Sequence, residues 1–148
     1  MTRTRLCATA AVAFACVALA APAAAQESSF TPGVYWDVGM IDVDDGRGEA
    51  YADWLAAEWK RDQEYAKSQG WIRDYFVMSN PYSRAGEPDL YLVSVIESLP
   101  DGAEDVKRSR AYEAWSKKNV RQLATEQAGR GNMRKVMGSM LLRELKLK

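Results

Sequence analysis

Val34-Tyr35-Trp36-Asp37-Val38-Gly39-Met40-Ile41-Asp42-Val43 is β-branched and aromatic with few breaks. It reads as a strand buried on much of both faces. Asp44-Asp45-Gly46-Arg47-Gly48 then turns the chain, and Glu49 to Gln69 holds good helix formers throughout. Gly70 stands where a left-handed cap ends a helix. This strand-then-helix opening decides the fold, because the rest of the chain supplies a strand pair, a second helix and a closing strand.

Trp71 to Ser79 reads as a second strand, Asn80 to Pro88 as a loop by its Pro, Gly and Asn, and Asp89 to Glu97 as a third strand. Asp101 lies three residues before Glu104, the capping-box spacing, and opens a second helical stretch to about Gln127 with a break expected near Ser109. Gly129-Arg130-Gly131-Asn132 turns the chain into a last strand, Val136 to Leu147. The order β-α-β-β-α-β predicts a ferredoxin-like α+β domain with an antiparallel sheet and helices on one face. Strands apolar on both faces leave the other side of such a sheet in need of cover, and a second sheet is the simplest cover.

In element order and spacing, Val34 to Leu147 resembles the dimeric α/β-barrel superfamily, which includes the small antibiotic-biosynthesis-type monooxygenases and the NIPSNAP-like proteins. The resemblance implies a homodimer packed sheet against sheet and a pocket between helix and sheet in each subunit. It transfers no catalytic residue. Where relatives use a pocket histidine this chain has none, so the haem-dependent branches do not fit.

Upstream of the domain, Met1-Thr2-Arg3-Thr4-Arg5 is a short positive segment, Leu6 to Ala21 is apolar, and Pro22 precedes Ala23-Ala24-Ala25. That is the three-part layout of a cleavable export signal, with cleavage between Ala25 and Gln26. The apolar run is shorter than the roughly 20 residues of a membrane span. Arg3 and Arg5 are not adjacent, so Sec-type export to the periplasm or exterior is expected over the twin-arginine route. Residues 1–25 are then the signal and 26–148 one domain, with its core at about 34–147. The signal carries away two of the 20 basic and none of the 20 acidic residues, leaving a formal charge of −2. A net acidic surface argues against nucleic acid, and no second long apolar segment argues for a membrane partner.

The absences narrow the chemistry. The chain has no histidine, and both cysteines, Cys7 and Cys16, fall in the signal. Imidazole-held haem, thiolate zinc, Ser-His-Asp triads and mature disulfides are excluded. No cofactor is expected. A metal would need oxygen ligands alone, and Asp42-Val43-Asp44-Asp45-Gly46 lacks the distal Glu of a calcium loop, so no metal is expected either.

On a uniform helical wheel, Tyr51, Trp54, Leu55, Trp59, Tyr65 and Ala66 share one side, and Asp53, Lys60, Gln63, Glu64 and Lys67 the other. Glu58 and Asp62 fall within the aromatic side, one turn apart. Carboxylates placed there need a cation or a raised pKa. The expected ligand pocket is therefore Trp54, Glu58, Trp59, Asp62, Arg73 and Tyr75, suited to an aromatic or cationic molecule. Arg73 or Arg134 would serve equally as the partner of a plain structural bridge.

The loop residues Tyr82, Arg84, Glu87 and Asp89 are further candidates for a pocket mouth, against the reading that they merely make a turn. Asp37 and Asp74 join the pair if they face the helix. The function expected is a homodimer binding a small aromatic or cationic molecule. A cofactor-free, monooxygenase- or isomerase-like enzyme using Glu58 and Asp62 as acid and base is the alternative, and a structural or assembly partner is the third reading.

Overall fold

The computed structural model describes residues 28–148. The export signal read at residues 1–25, its cleavage point at Ala25 and Gln26, and both cysteines lie outside the described residues. The elements in order are β1 (Phe30–Val43), α1 (Gly48–Trp54), a π-helical turn (Leu55–Trp59), α2 (Lys60–Ser68), β2 (Asp74–Ser79), β3 (Leu90–Ile96), α3 (Gly102–Ser116), α4 (Val120–Gly129), a 3₁₀ turn (Arg130–Asn132) and β4 (Arg134–Leu147). The four strands form one antiparallel sheet in the order β2-β3-β1-β4. The architecture is α+β and consistent with a ferredoxin-like fold. Among the described residues no helix is long and apolar enough to cross a membrane.

The first helix runs through α1, the π turn and α2 without leaving right-handed dihedrals. It ends as the sequence predicts. Gly70 takes φ +70°, its N–H donates to the Lys67 carbonyl, and the Trp71 N–H donates to the Ala66 carbonyl, both at 3.0 Å. These two bonds satisfy carbonyls that a helix end otherwise leaves unpaired. The second helical stretch breaks at Lys117, in the left-handed region at φ 55°, and not near Ser109. Asn119 then caps α4 reciprocally with Gln122, the two bonds measuring 3.0 and 2.9 Å, so a strong restart signal sets the break. Asp101 caps α3 by accepting from the Glu104 N–H at 2.8 Å.

Side chains alternate across the sheet, so the register sorts them into two faces. On the helix side Ile41, Leu90 and Leu92 meet Tyr51, Leu55, Trp54 and Trp59. On the opposite side Trp36 and Phe76 stand on strands separated by β3, yet their rings meet edge to face at 5.4 Å. The two rings roof over β3, which is why Val93 and Val95 are buried without a helix above them. Beyond this roof the same face carries Met78, Met140 and Leu142 exposed.

The helix side is covered only in part. Val136 and Leu141 of β4 also face that side and remain about half exposed. Instead of lying over β4, α3 packs on α2: Tyr65 stacks on Trp115 at 4.2 Å and 11°, with Trp71 edge-on and Tyr112 tilted beside it. The Tyr65 hydroxyl donates to the Ala111 carbonyl at 3.2 Å. The helical layer thus leaves much of β4 uncovered, because this aromatic stack seats α3 on α2.

The β1–β4 pair extends past β3, whose ladder with β1 runs only from Tyr35 to Ile41, down to Phe30 opposite Leu147. Two bulges shape this ribbon. Gly33 and Val34 together oppose Glu144, and Met137 is the extra residue between Val136 and Gly138. Gly138 takes φ +150°, which favours glycine, and a Cβ there would approach the Met40 methyl to 3.2 Å and make that side chain shift slightly.

Candidate functional site

A uniform wheel misplaces the second half of the first helix, and the π turn is the reason. Closing bonds over an extra residue at Leu55–Trp59 turns everything after it relative to a regular helix. Gln63, expected in solvent, therefore reaches the sheet, where the Ser94 hydroxyl donates to it at 2.9 Å. Glu64 likewise accepts a short hydrogen bond from the Tyr75 hydroxyl, and that carboxylate pushes the phenol up to about 12. The helix consequently presents two working sides: Tyr51, Leu55, Trp59 and Gln63 toward the sheet, and Trp54, Glu58, Arg61, Asp62 and Tyr65 toward α3 and α4.

Between the first helix and the α3–α4 pair lies a cavity of about 250 Å³. Four of the six residues expected in a pocket line it together: Trp54, Glu58, Trp59 and Asp62. The remaining walls come from Arg61, Tyr112, Lys118, Leu123, Glu126 and Arg130 among others. The cavity is thus helix against helix, whereas the expectation was helix against sheet. The helix–sheet gap is taken up by the core at Tyr51 and Leu55 and, at its β2 edge, narrows to an open apolar groove of about 370 Å³ along Leu55, Trp59, Tyr75 and Val77.

The two acids do not stand alone. Arg61 bridges them, holding Glu58 at 2.8 Å and Asp62 at 3.2 Å. Neither acid is deeply buried, with side-chain exposures of 43% and 28%. One guanidinium between two carboxylates leaves the group one negative charge in excess. Arg61 also lies over the Trp115 ring at 5.5 Å. Across the cavity Lys118 pairs with Glu126 at 2.7 Å. Tyr112 is pushed above its ordinary value, first by burial and then by the Asp62 carboxylate beside it.

Arg73 and Arg134, read as possible partners of the acids, serve elsewhere. Arg73 approaches Glu97 at 3.9 Å on the surface, and Arg134 lies over the Tyr51 ring at 5.8 Å. Tyr75 meets Trp59 edge-on at 5.4 Å in the apolar groove. The loop does not reach the cavity: Tyr82 is 89% exposed, and Glu87 closes the local turn by accepting from the Arg84 N–H at 3.0 Å. Asp89 accepts from the Val43 N–H at 2.9 Å and the Ser83 hydroxyl at 2.8 Å, which pins the loop to β1. Asp37 is exposed, and Asp74 is held by Lys67 at 2.9 Å, so neither joins the acid pair.

The residues that sequence reasoning passed over are Arg61, Lys118, Glu126 and Arg130. Lys118 follows the break at Lys117, and that break turns it toward the cavity. Arg130 was read only as part of a turn. Its guanidinium lies 4.6 Å from the centre of the Trp54 ring, and the Gly residues on either side do not hint at that. Among the described residues no cluster of His, Cys, Asp and Glu is disposed to hold a metal ion. No family model matches this chain, and no curated protein or solved structure shows significant similarity to it.

Proposed function

We propose that this is an exported protein that acts as a homodimer and binds a small aromatic or cationic molecule in the cavity between the first helix and α3–α4. The observation that carries the ligand reading is the sharing of one guanidinium, Arg61, by two carboxylates, Glu58 and Asp62, beside the rings of Trp59 and Tyr112. A second cation with a flat ring meets both the local excess of carboxylate at Glu58 and Asp62 and the aromatic wall, with Lys118 and Arg130 on the opposite side of the lining. A volume of about 250 Å³ suits a molecule of a single ring with a short arm. Acid–base catalysis by the same pair would call for a carboxyl held apart from cations, and Arg61 engages both.

Dimer formation is supported by the sheet face away from the helices, where Met78, Met140 and Leu142 surround the Trp36–Phe76 roof. A second copy presenting the same face is self-complementary, as two-fold interfaces require. This reading follows the dimeric barrel that the element order resembles, and export follows the N-terminal signal.

Calorimetric titration with benzylamine and phenethylamine tests the ligand reading. Saturable binding by the protein, lost in Glu58→Gln/Asp62→Asn with the fold retained by circular dichroism, is the expected result. Equal binding by the double variant, or none by the wild type across a series of aromatic amines, rejects the site.

A further inference from the structure

Between the first helix and the outer strand β2 runs the open groove of about 370 Å³ noted above. Ala52, Leu55, Ala56 and Trp59 wall it from the helix, and Tyr75 and Val77 from the strand. Among the described residues Lys60 is the one charged side chain in its lining.

Two features of the sequence make this hollow. Ala52 and Ala56 stand one turn apart, and their short side chains keep the helix surface low where longer ones would close the gap. Leu55, Ala56 and Trp59 belong to the π turn, which bulges the helix at this point, and such bulges recur at binding sites. The strand wall is held in place. The Tyr75 ring meets Trp59 edge-on at 5.4 Å, its hydroxyl donates to Glu64, and Lys67 Nζ stands 5.9 Å from its centre. The groove is thus formed in advance of any ligand, as small-molecule sites mostly are.

Lys60 is exposed at this apolar opening and makes no ion pair or hydrogen bond among the described residues. Glu64, the acid one turn further along, is taken by Tyr75. Shape and charge together ask for a molecule in two parts, an apolar chain and one anionic head. We propose that the groove binds a medium-chain fatty acid, its acyl chain along Ala52, Ala56 and Val77 and its carboxylate at Lys60. A lysine suits that place, because its methylene stem adds to the apolar wall while its ammonium stays in water beside the head group. The groove shares only Trp59 with the cavity between the helices and takes the opposite charge, so the two sites stand or fall separately.

The test is a calorimetric titration of the protein with hexanoate, octanoate and decanoate, each below its micelle concentration, beside octanol. Saturable binding of decanoate is expected, with affinity rising roughly fourfold per added methylene along the series. Lys60→Met should weaken octanoate several-fold and leave octanol unchanged. Ala52→Leu/Ala56→Leu fills the groove with good helix formers and should weaken decanoate tenfold or more, with the fold retained by circular dichroism. Overturning results are no saturable binding of decanoate, equal octanoate affinity in Lys60→Met, or undiminished decanoate binding in Ala52→Leu/Ala56→Leu. Dissociation of a dimer by that alanine double variant in sedimentation would overturn the proposal too, because the groove would then be an interface between copies.

Discussion

The junction of α2 with α3 and the far end of the β1–β4 ribbon handle apolar side chains in opposite ways. At the junction Tyr65, Trp71, Tyr112 and Trp115 touch one another within one cluster, and the polar tip of Tyr65 finds the Ala111 carbonyl. In the ribbon Phe30, Leu145 and Leu147 are exposed, on two strands with no third beside them. A two-stranded ribbon is marginal in water by itself. The contrast teaches that the aromatic cluster of the helical layer closes within one chain, whereas the sheet face and its ribbon leave a run of large apolar side chains exposed. It also explains why α3 leaves β4 bare: its aromatic side is already spent on α2.

The largest effect should come from attacking the sheet side of this contrast. Met140→Lys together with Leu142→Glu places charges on the uncovered face, and the mass measured by sedimentation should fall from two chains to one while circular dichroism is unchanged. A wild type that sediments as one chain at micromolar concentration would remove the dimer outright. On the helical side, Trp115→Ala should lower stability by about 3 kcal/mol, the usual cost of deleting a packed indole, measured by denaturant unfolding at fixed protein concentration. It should leave the association state alone. If it instead dissociated the dimer, the two regions would not be independent.

The smallest effect concerns the pin between loop and sheet. The Val43 N–H and the Ser83 hydroxyl hold the Asp89 carboxyl below its ordinary value of 3.8. A depressed carboxyl adds stability that is complete above its unfolded value and disappears as pH falls through the lower folded one. Melting temperature should therefore drop below about pH 4, and Asp89→Asn should flatten that acid limb at a cost on the order of 1 kcal/mol at neutral pH. An unchanged acid limb in the variant would mean that the pin contributes nothing to folding.

Strand and helix order were legible because β-branched and aromatic runs such as Val34 to Val43 have no helical period, and because Gly70 and Asp101 mark helix ends by backbone chemistry. One wall of the cavity was legible too, through Trp54, Glu58, Trp59 and Asp62. The π turn at Leu55–Trp59 was not, since Leu-Ala-Ala-Glu-Trp is as good a sequence for an ordinary α turn. Missing it put Gln63 in solvent, whereas Glu64 is exposed as read; Arg61 meets Glu58 at the ordinary i,i+3 spacing. Arg130 and Arg134 escaped for another reason. Their places depend on how a turn at the far end of the chain folds back over α1, and no local pattern encodes that. Asn119 with Gln122, by contrast, was readable by the same spacing rule that found Asp101 with Glu104.

The pairing of Phe30 with Leu147 bears on how quickly the protein reaches its native state. β1 is a central strand, and one of its two neighbours is the last element of the chain. Contacts between residues so far apart in sequence make folding slow, because a large loop must close before they are rewarded. Until β4 arrives, β1 has an open edge rich in Val, Tyr, Trp and Met, the kind of template on which other unfinished chains pair. The time between release of the first strand and docking of the last is thus the period of greatest hazard, and a chaperone that shields that edge would raise yield without touching the finished fold.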